Sequence, residues 1–188
     1  MKRNLFLLLL LGVFSLTAGT AAYFTHSATA RNVITAGAVS IALEEKHQST
    51  GGAVVEFPPE GITGLLPGCS ASKLVRVRNT GAESWIRVKC HISATAADGT
   101  ALPTDVVALD ISPQWLYQEG WYYCQEASPQ DGLTPLLFSQ VDFSPAMGNE
   151  YQNARVVITL QAQAVQTAHN GSAVTEAIGW PETKEVAG

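Results

Sequence analysis

Between Ala154 and Gln166 apolar and polar residues trade places at every step. Val156, Ile158, Leu160, Ala162 and Ala164 fall on one face, and Arg155, Val157, Thr159, Gln161 and Gln163 on the other. A period of two is the mark of a half-buried β-strand. Ser84 to Ser93 repeats it, with Ile86, Val88, Cys90 and Ile92 opposed to Trp85, Arg87, Lys89 and His91, so Cys90 is expected to point inward. The run Lys73 to Arg78 precedes it across the turn signal Asn79-Thr80-Gly81, and residues 73–93 read as an antiparallel hairpin. Further strands are expected over Ala38–Leu43, Ala53–Phe57, Val106–Ile111, Trp115–Tyr117, Trp121–Gln125 and Leu136–Phe143. That is about nine strands, and no stretch carries the 3.6-residue period of a three-turn amphipathic helix.

The segments between them hold Pro58-Pro59, Pro67-Gly68, Asp98-Gly99, Asp131-Gly132 and Gly148-Asn149, residues suited to turns of fixed or positive φ. Many short, evenly spaced strands close best as two stacked sheets, because stacking buries both apolar faces. The expected fold is therefore all-β, an antiparallel two-sheet sandwich of jelly-roll type spanning residues 38–166. The tail, 167–188, reads as looser, with one or two helical turns over Ser172–Ile178 before Trp180-Pro181.

The start of the chain breaks this pattern. Lys2 and Arg3 precede an apolar run from Leu5 to Leu16, followed by the small residues Thr17 to Ala22. This is the layout of a cleavable secretory signal peptide, and the run ends short of the ~20 apolar residues of a membrane span. Cleavage is expected between Ala22 and Tyr23, leaving residues 23–37 as an N-terminal segment ahead of the sandwich. Contact with the membrane is then transient, and the destination is the cell surface or an extracellular matrix. The net charge is −5, and losing Lys2 and Arg3 makes the processed chain two units more negative. Phosphate backbones repel such a surface, which argues against nucleic acid as a partner.

The three cysteines, Cys69, Cys90 and Cys124, leave at least one thiol unpaired in a monomer. Either all three are small buried residues, or one bridge accompanies a free thiol. Cys90 and Cys124 are the candidate bridge if their strands are neighbours or lie across the two sheets. Enzymatic chemistry finds little footing. His26, His47, His91 and His169 are scattered without the helical His-Glu-x-x-His spacing of a zinc protease, and no Gly-x-Ser-x-Gly elbow occurs. The cluster Glu44-Glu45-Lys46-His47 reads as a solvated strand end, and Asp105, Asp110, Asp142 and Glu150 as surface carboxylates. No catalytic residue, metal or cofactor is assigned. Trp115, Tyr117, Trp121, Tyr122 and Tyr123 crowd one stretch, where they could stack on a glycan or pack the core. Strand alternation places Trp121 and Tyr123 on one face, Tyr122 and Cys124 on the other.

Several motifs together resemble the TasA/camelysin family of exported proteins. They are Ala18-Gly19-Thr20-Ala21-Ala22-Tyr23-Phe24-Thr25, Thr35-Ala36-Gly37-Ala38, Leu66-Pro67-Gly68, Arg76-Val77-Arg78-Asn79-Thr80-Gly81, Trp85-Ile86-Arg87-Val88, Gly120-Trp121-Tyr122-Tyr123, and the stretch Phe143 to Ala154 leading into Ala162 to Gln166. The resemblance covers most of the chain. It implies a jelly-roll domain, processing by a signal peptidase of the SipW type, and assembly into biofilm-matrix fibres with itself or paralogous subunits. The segment freed by cleavage would add as a strand to the next subunit. Here that segment is Tyr23 to Val33, with Tyr23, Phe24, Thr25, Thr29 and Val33 among small residues and no proline or glycine to break a strand. The chain is shorter than the fibre-forming type member and carries cysteines not expected there. The rival expectations are a monomeric glycan-binding surface module and, more weakly, a camelysin-like metallopeptidase, for which no zinc motif is present.

Overall fold

The computed structural model describes residues 31–32, 39–62 and 65–181. The described chain forms strands β1 Arg31–Asn32, β2 Ile41–Gln48, β3 Val54–Glu56, β4 Ser70–Asn79, β5 Ser84–Thr95, β6 Ala101–Leu102, β7 Val107–Leu109, β8 Trp115–Gln118, β9 Trp121–Cys124, β10 Phe138–Phe143 and β11 Arg155–Gln166. Single 3-10 turns occur at Asn149–Tyr151 and Val174–Glu176, and there is no α-helix among the described residues. Each of the nine expected strands is present. The additions, β1 and β6, are two residues long, too short for a period to announce them.

The strands form two stacked sheets. One has the order β1-β11-β5-β9-β8, with β6 on the end of β5, and the other β3-β2-β4-β10-β7. Every pairing is antiparallel except that of β1 with β11. From β4 onward the main strands alternate between sheets and later ones insert beside earlier ones, giving β11-β5-β9 against β4-β10-β7. This is the nested winding of a jelly roll. The hairpin β8–β9 departs from it by keeping both strands in one sheet.

Alternation decides what each face buries. Ile86 and Val88 of β5 and Leu160 and Ala164 of β11 enter the space between the sheets, where they meet Val75 and Val77 of β4 and Phe138 of β10. Burying a side chain of this size contributes about 1.5–3 kcal/mol. The β5–β11 ladder runs unbroken from Thr95 opposite Arg155 to Ser84 opposite Gln166, forming the spine of its sheet.

Two expectations are corrected. Residues 73–93 are not a hairpin, because β4 and β5 lie in different sheets. Their apolar faces must look at each other across the core, which side-by-side pairing would prevent. Asn79 fixes the corner: its fully buried amide donates to the carbonyls of Ala82, Ser128 and Pro129 and accepts from the Gly81 N–H. The tail is not loose as far as Pro181. Val174, Ala177 and Trp180 cover Trp85, Trp121, Tyr123 and Val165 on the outer face of the β5 sheet, with one 3-10 turn in place of helix.

Candidate functional site

The flank of β11 turned away from β5 carries the two-residue strand β1. Arg31 pairs with Gln161 and Asn32 with Ala162, in parallel. Both residues fall inside the expected donor segment. Its named members Tyr23, Phe24, Thr25, Thr29 and Val33, and the expected cleavage position at Ala22, lie outside the described residues.

At the end of the sandwich where β11 begins, the two sheets part into a mouth. A cavity of about 40 Å³ lies there between Phe57, Ile62, Leu65, Phe143, Val156 and Ile158. Beside it a groove of about 430 Å³ runs between Leu65-Leu66-Pro67 and the stretch Met147–Asn153, with Phe143 at its base. Leu66 stands 69% exposed on its lip.

Lys73 reaches this mouth from inside. It shares the inner face of β4 with Val75 and Val77, is 2% exposed, and donates to Glu45 on β2. Its ammonium also lies 3.8 Å from the centre of the Phe57 ring. Burial holds the Lys73 pKa below its ordinary value, with Glu45 opposing. Cys90 sits across the core, where burial, and then the Glu45 charge, push its thiol up to about 12. The Glu44–His47 cluster is therefore not a solvated strand end. It lies within β2, its odd member Glu45 facing inward while Glu44 accepts from Arg76 and Arg78 on the outer face. The signal that sequence reading missed was parity: Lys73 is in step with Val75 and Val77, not with Arg76 and Arg78.

The aromatic stretch is mostly packing. Trp115, Trp121 and Tyr123 are buried, Tyr122 is half-buried, and Tyr117 is exposed against Tyr122 with ring centres 4.8 Å apart. Trp121 and Tyr123 share the outer face as expected, and Cys124 and Tyr122 the inner one. On that outer face Arg87 lies 4.2 Å from the Trp121 ring centre and 4.4 Å from that of Trp180. It donates to the Gln163 side-chain oxygen and to the Tyr123 hydroxyl. Gln163 in turn donates to the Pro181 carbonyl, tying the tail to the sheet.

All three cysteines are free thiols, and the candidate bridge is corrected by register. Val88 stands opposite Tyr122 on neighbouring strands; Cys90 lies two positions beyond Val88, and Cys124 two positions beyond Tyr122 the opposite way. Four strand positions amount to ~13 Å, beyond the ~7 Å that a disulfide spans between Cα atoms. Of the named carboxylates, Asp110 accepts from the Ser139 and Gln140 backbone N–H groups, and Asp142 from Ser70 and Gln140 side chains. Among the described residues no three His, Cys, Asp or Glu side chains converge on one point. Among them, too, no helix is long and apolar enough to cross a membrane. No family model, no curated protein and no solved structure matches the chain.

Proposed function

We propose that this chain is an exported structural subunit of a bacterial biofilm matrix or cell or spore surface, which polymerises by lending its N-terminal strand to a neighbouring copy or paralogue. The observation that carries this reading is the pairing of Arg31 and Asn32 on the flank of β11. A segment that enters a sheet as an edge strand in its own chain has the backbone complementarity needed to enter the same edge in the next chain. Main-chain hydrogen bonds supply the attraction, and they do not distinguish between copies. The leader with its small-residue end before Tyr23, processing by a SipW-type peptidase, and the TasA/camelysin resemblance support the same reading. The glycan-binding alternative loses its platform where three of the five clustered rings are buried.

Negative-stain electron microscopy of residues 23–188, beside the same chain lacking residues 23–33, tests the proposal. Fibres are expected only from the longer chain, with both samples showing the same β-type circular dichroism. Fibres from the truncated chain, or monomers in every folded sample, would overturn it.

A further inference from the structure

The two cavities at the mouth of the sandwich share Leu65 and Phe143. The inner one, of about 40 Å³, is too small for an organic molecule. The outer groove, of about 430 Å³, falls within the range of pockets that hold one.

Both walls of that groove are pinned. On one side Gly68 donates its N–H to the Phe143 carbonyl and Cys69 donates its own to the Leu66 carbonyl, which fastens this turn to β10. Gly68 sits at φ +76°, a conformation that suits glycine. On the other side the 3-10 turn Asn149–Tyr151 is closed by hydrogen bonds from Tyr151 to Gly148 and from Gln152 to Asn149. The Tyr151 hydroxyl then ties the turn to the Pro103 carbonyl at 2.8 Å. The groove is preformed, so a ligand entering it need not order its walls.

The lining divides by burial. Phe143, Met147 and Tyr151 are buried and make a mostly apolar floor, while Asn149, Gln152 and Asn153 are exposed along the rim. No hydrogen bond within the described chain engages the side-chain amides of those three residues. No charged side chain is among the lining residues. The Glu150 carboxylate lies against Gly148 at one end, so close that a Cβ on Gly148 would strike it, and its charge repels an anion there.

We infer that this groove is a binding site for a small uncharged molecule with an apolar body and hydrogen-bonding groups along one edge. The floor takes the body by burying apolar area, and the flexible thioether of Met147 adapts to its shape. Each rim amide presents two N–H donors and a carbonyl acceptor to the edge. Nothing in the lining would neutralise a charge taken out of water. The inference goes beyond strand addition and is independent of it, since the groove uses no residue of β1 or β11.

Fluorescence titration of the exported chain with two dyes tests this. N-phenyl-1-naphthylamine is neutral, and 1-anilinonaphthalene-8-sulfonate is the same ring system with a sulfonate added. The neutral dye is expected to bind at a single site, at least about tenfold tighter than the sulfonate. Leu66→Asp, a change at an exposed lip residue that leaves the fold intact, should lower that affinity by at least about fivefold. Asn149→Ala combined with Gln152→Ala should lower it about three- to tenfold. Tyr117→Ser, at the exposed ring pair on β8, should leave it unchanged. Absence of binding, equal affinity for the two dyes, or an affinity that Tyr117→Ser lowers and Leu66→Asp does not would overturn the assignment. So would an affinity indifferent to the loss of both amides.

Discussion

Two cations of the described chain sit against aromatic rings, Lys73 buried and Arg87 half-buried, and the protein treats them differently. Lys73 stands inside the sandwich, fully enclosed, and meets the carboxylate of Glu45. Arg87 stands on the outer face under the tail, between two indole rings, bonded to an amide oxygen and a phenol. An ammonium is a compact, strongly hydrated charge, and in an apolar interior it needs a counter-charge. A guanidinium is flat and weakly hydrated, so aromatic faces and neutral acceptors suffice where water is only partly excluded. The first arrangement is a structural commitment of the core. The second is a clasp that holds the last described residues, Trp180 and Pro181, against the sheet.

Removing the cation inside should produce the largest effect. Lys73→Ala leaves Glu45 without its ammonium, and urea denaturation should show a loss of about 3–5 kcal/mol. The pair Lys73→Met with Glu45→Gln should recover most of that, because no charge is then stranded; a double variant as unstable as the single would mean that packing, not charge, sets the cost. Opening the clasp should matter less. Trp180→Ala removes one indole from Arg87, with an expected loss of about 1–3 kcal/mol and faster proteolysis after Thr167. If stability were unchanged, the tail would be resting on the sheet without supporting it.

The Cys90 thiol sharpens the contrast through pH. Its pKa rises from an ordinary 9.0 to about 12, first by burial and then by the Glu45 charge. The folded state is thus fully favoured below pH 9 and loses that advantage as pH climbs toward 12. Iodoacetamide at pH 8 should leave Cys90 unmodified in the folded protein and modify it on unfolding; rapid labelling of the native chain would show that the inner face is not closed. The smallest effect belongs to Glu44, on the outer face. Partial burial works against its ionisation, yet hydrogen bonds from Arg78 and Arg76 outweigh it and hold the carboxyl below the ordinary 4.5. A group so shifted adds stability above pH 4.5 and loses it as pH falls through its own lowered value. Glu44→Gln should cost under about 1 kcal/mol at pH 7 and nothing once the carboxyl is protonated, as thermal melts at the two pH values would report.

The positions of the strands were legible because alternation is a local property. Val156 to Ala164, Ile86 to Ile92 and the turn residues between the strands announced themselves, and the face assignments of Trp121, Tyr122, Tyr123 and Cys124 followed from counting by twos. Even Lys73 was marked by its parity with Val75 and Val77. The hairpin expected over 73–93 failed because Asn79-Thr80-Gly81 turns the chain equally well within a sheet or between sheets, and the partners that chose, Ser40, Ser128 and Pro129, are far along the chain. The Cys90–Cys124 bridge failed for a related reason: the strands are neighbours, but a register offset of four positions is invisible in either strand alone.

What the sequence determined by itself, then, was which residues form strands and which side of each strand is apolar, since both depend on φ/ψ preference and neighbours two residues away. What only the tertiary structure decided was which strands share a sheet, that Lys73 meets Glu45, that Trp180 returns to Arg87, and that Arg31 and Asn32 lie on β11. Those are contacts between residues tens of positions apart, chosen by how two sheets and a tail can bury their apolar faces together, and no local pattern encodes that choice.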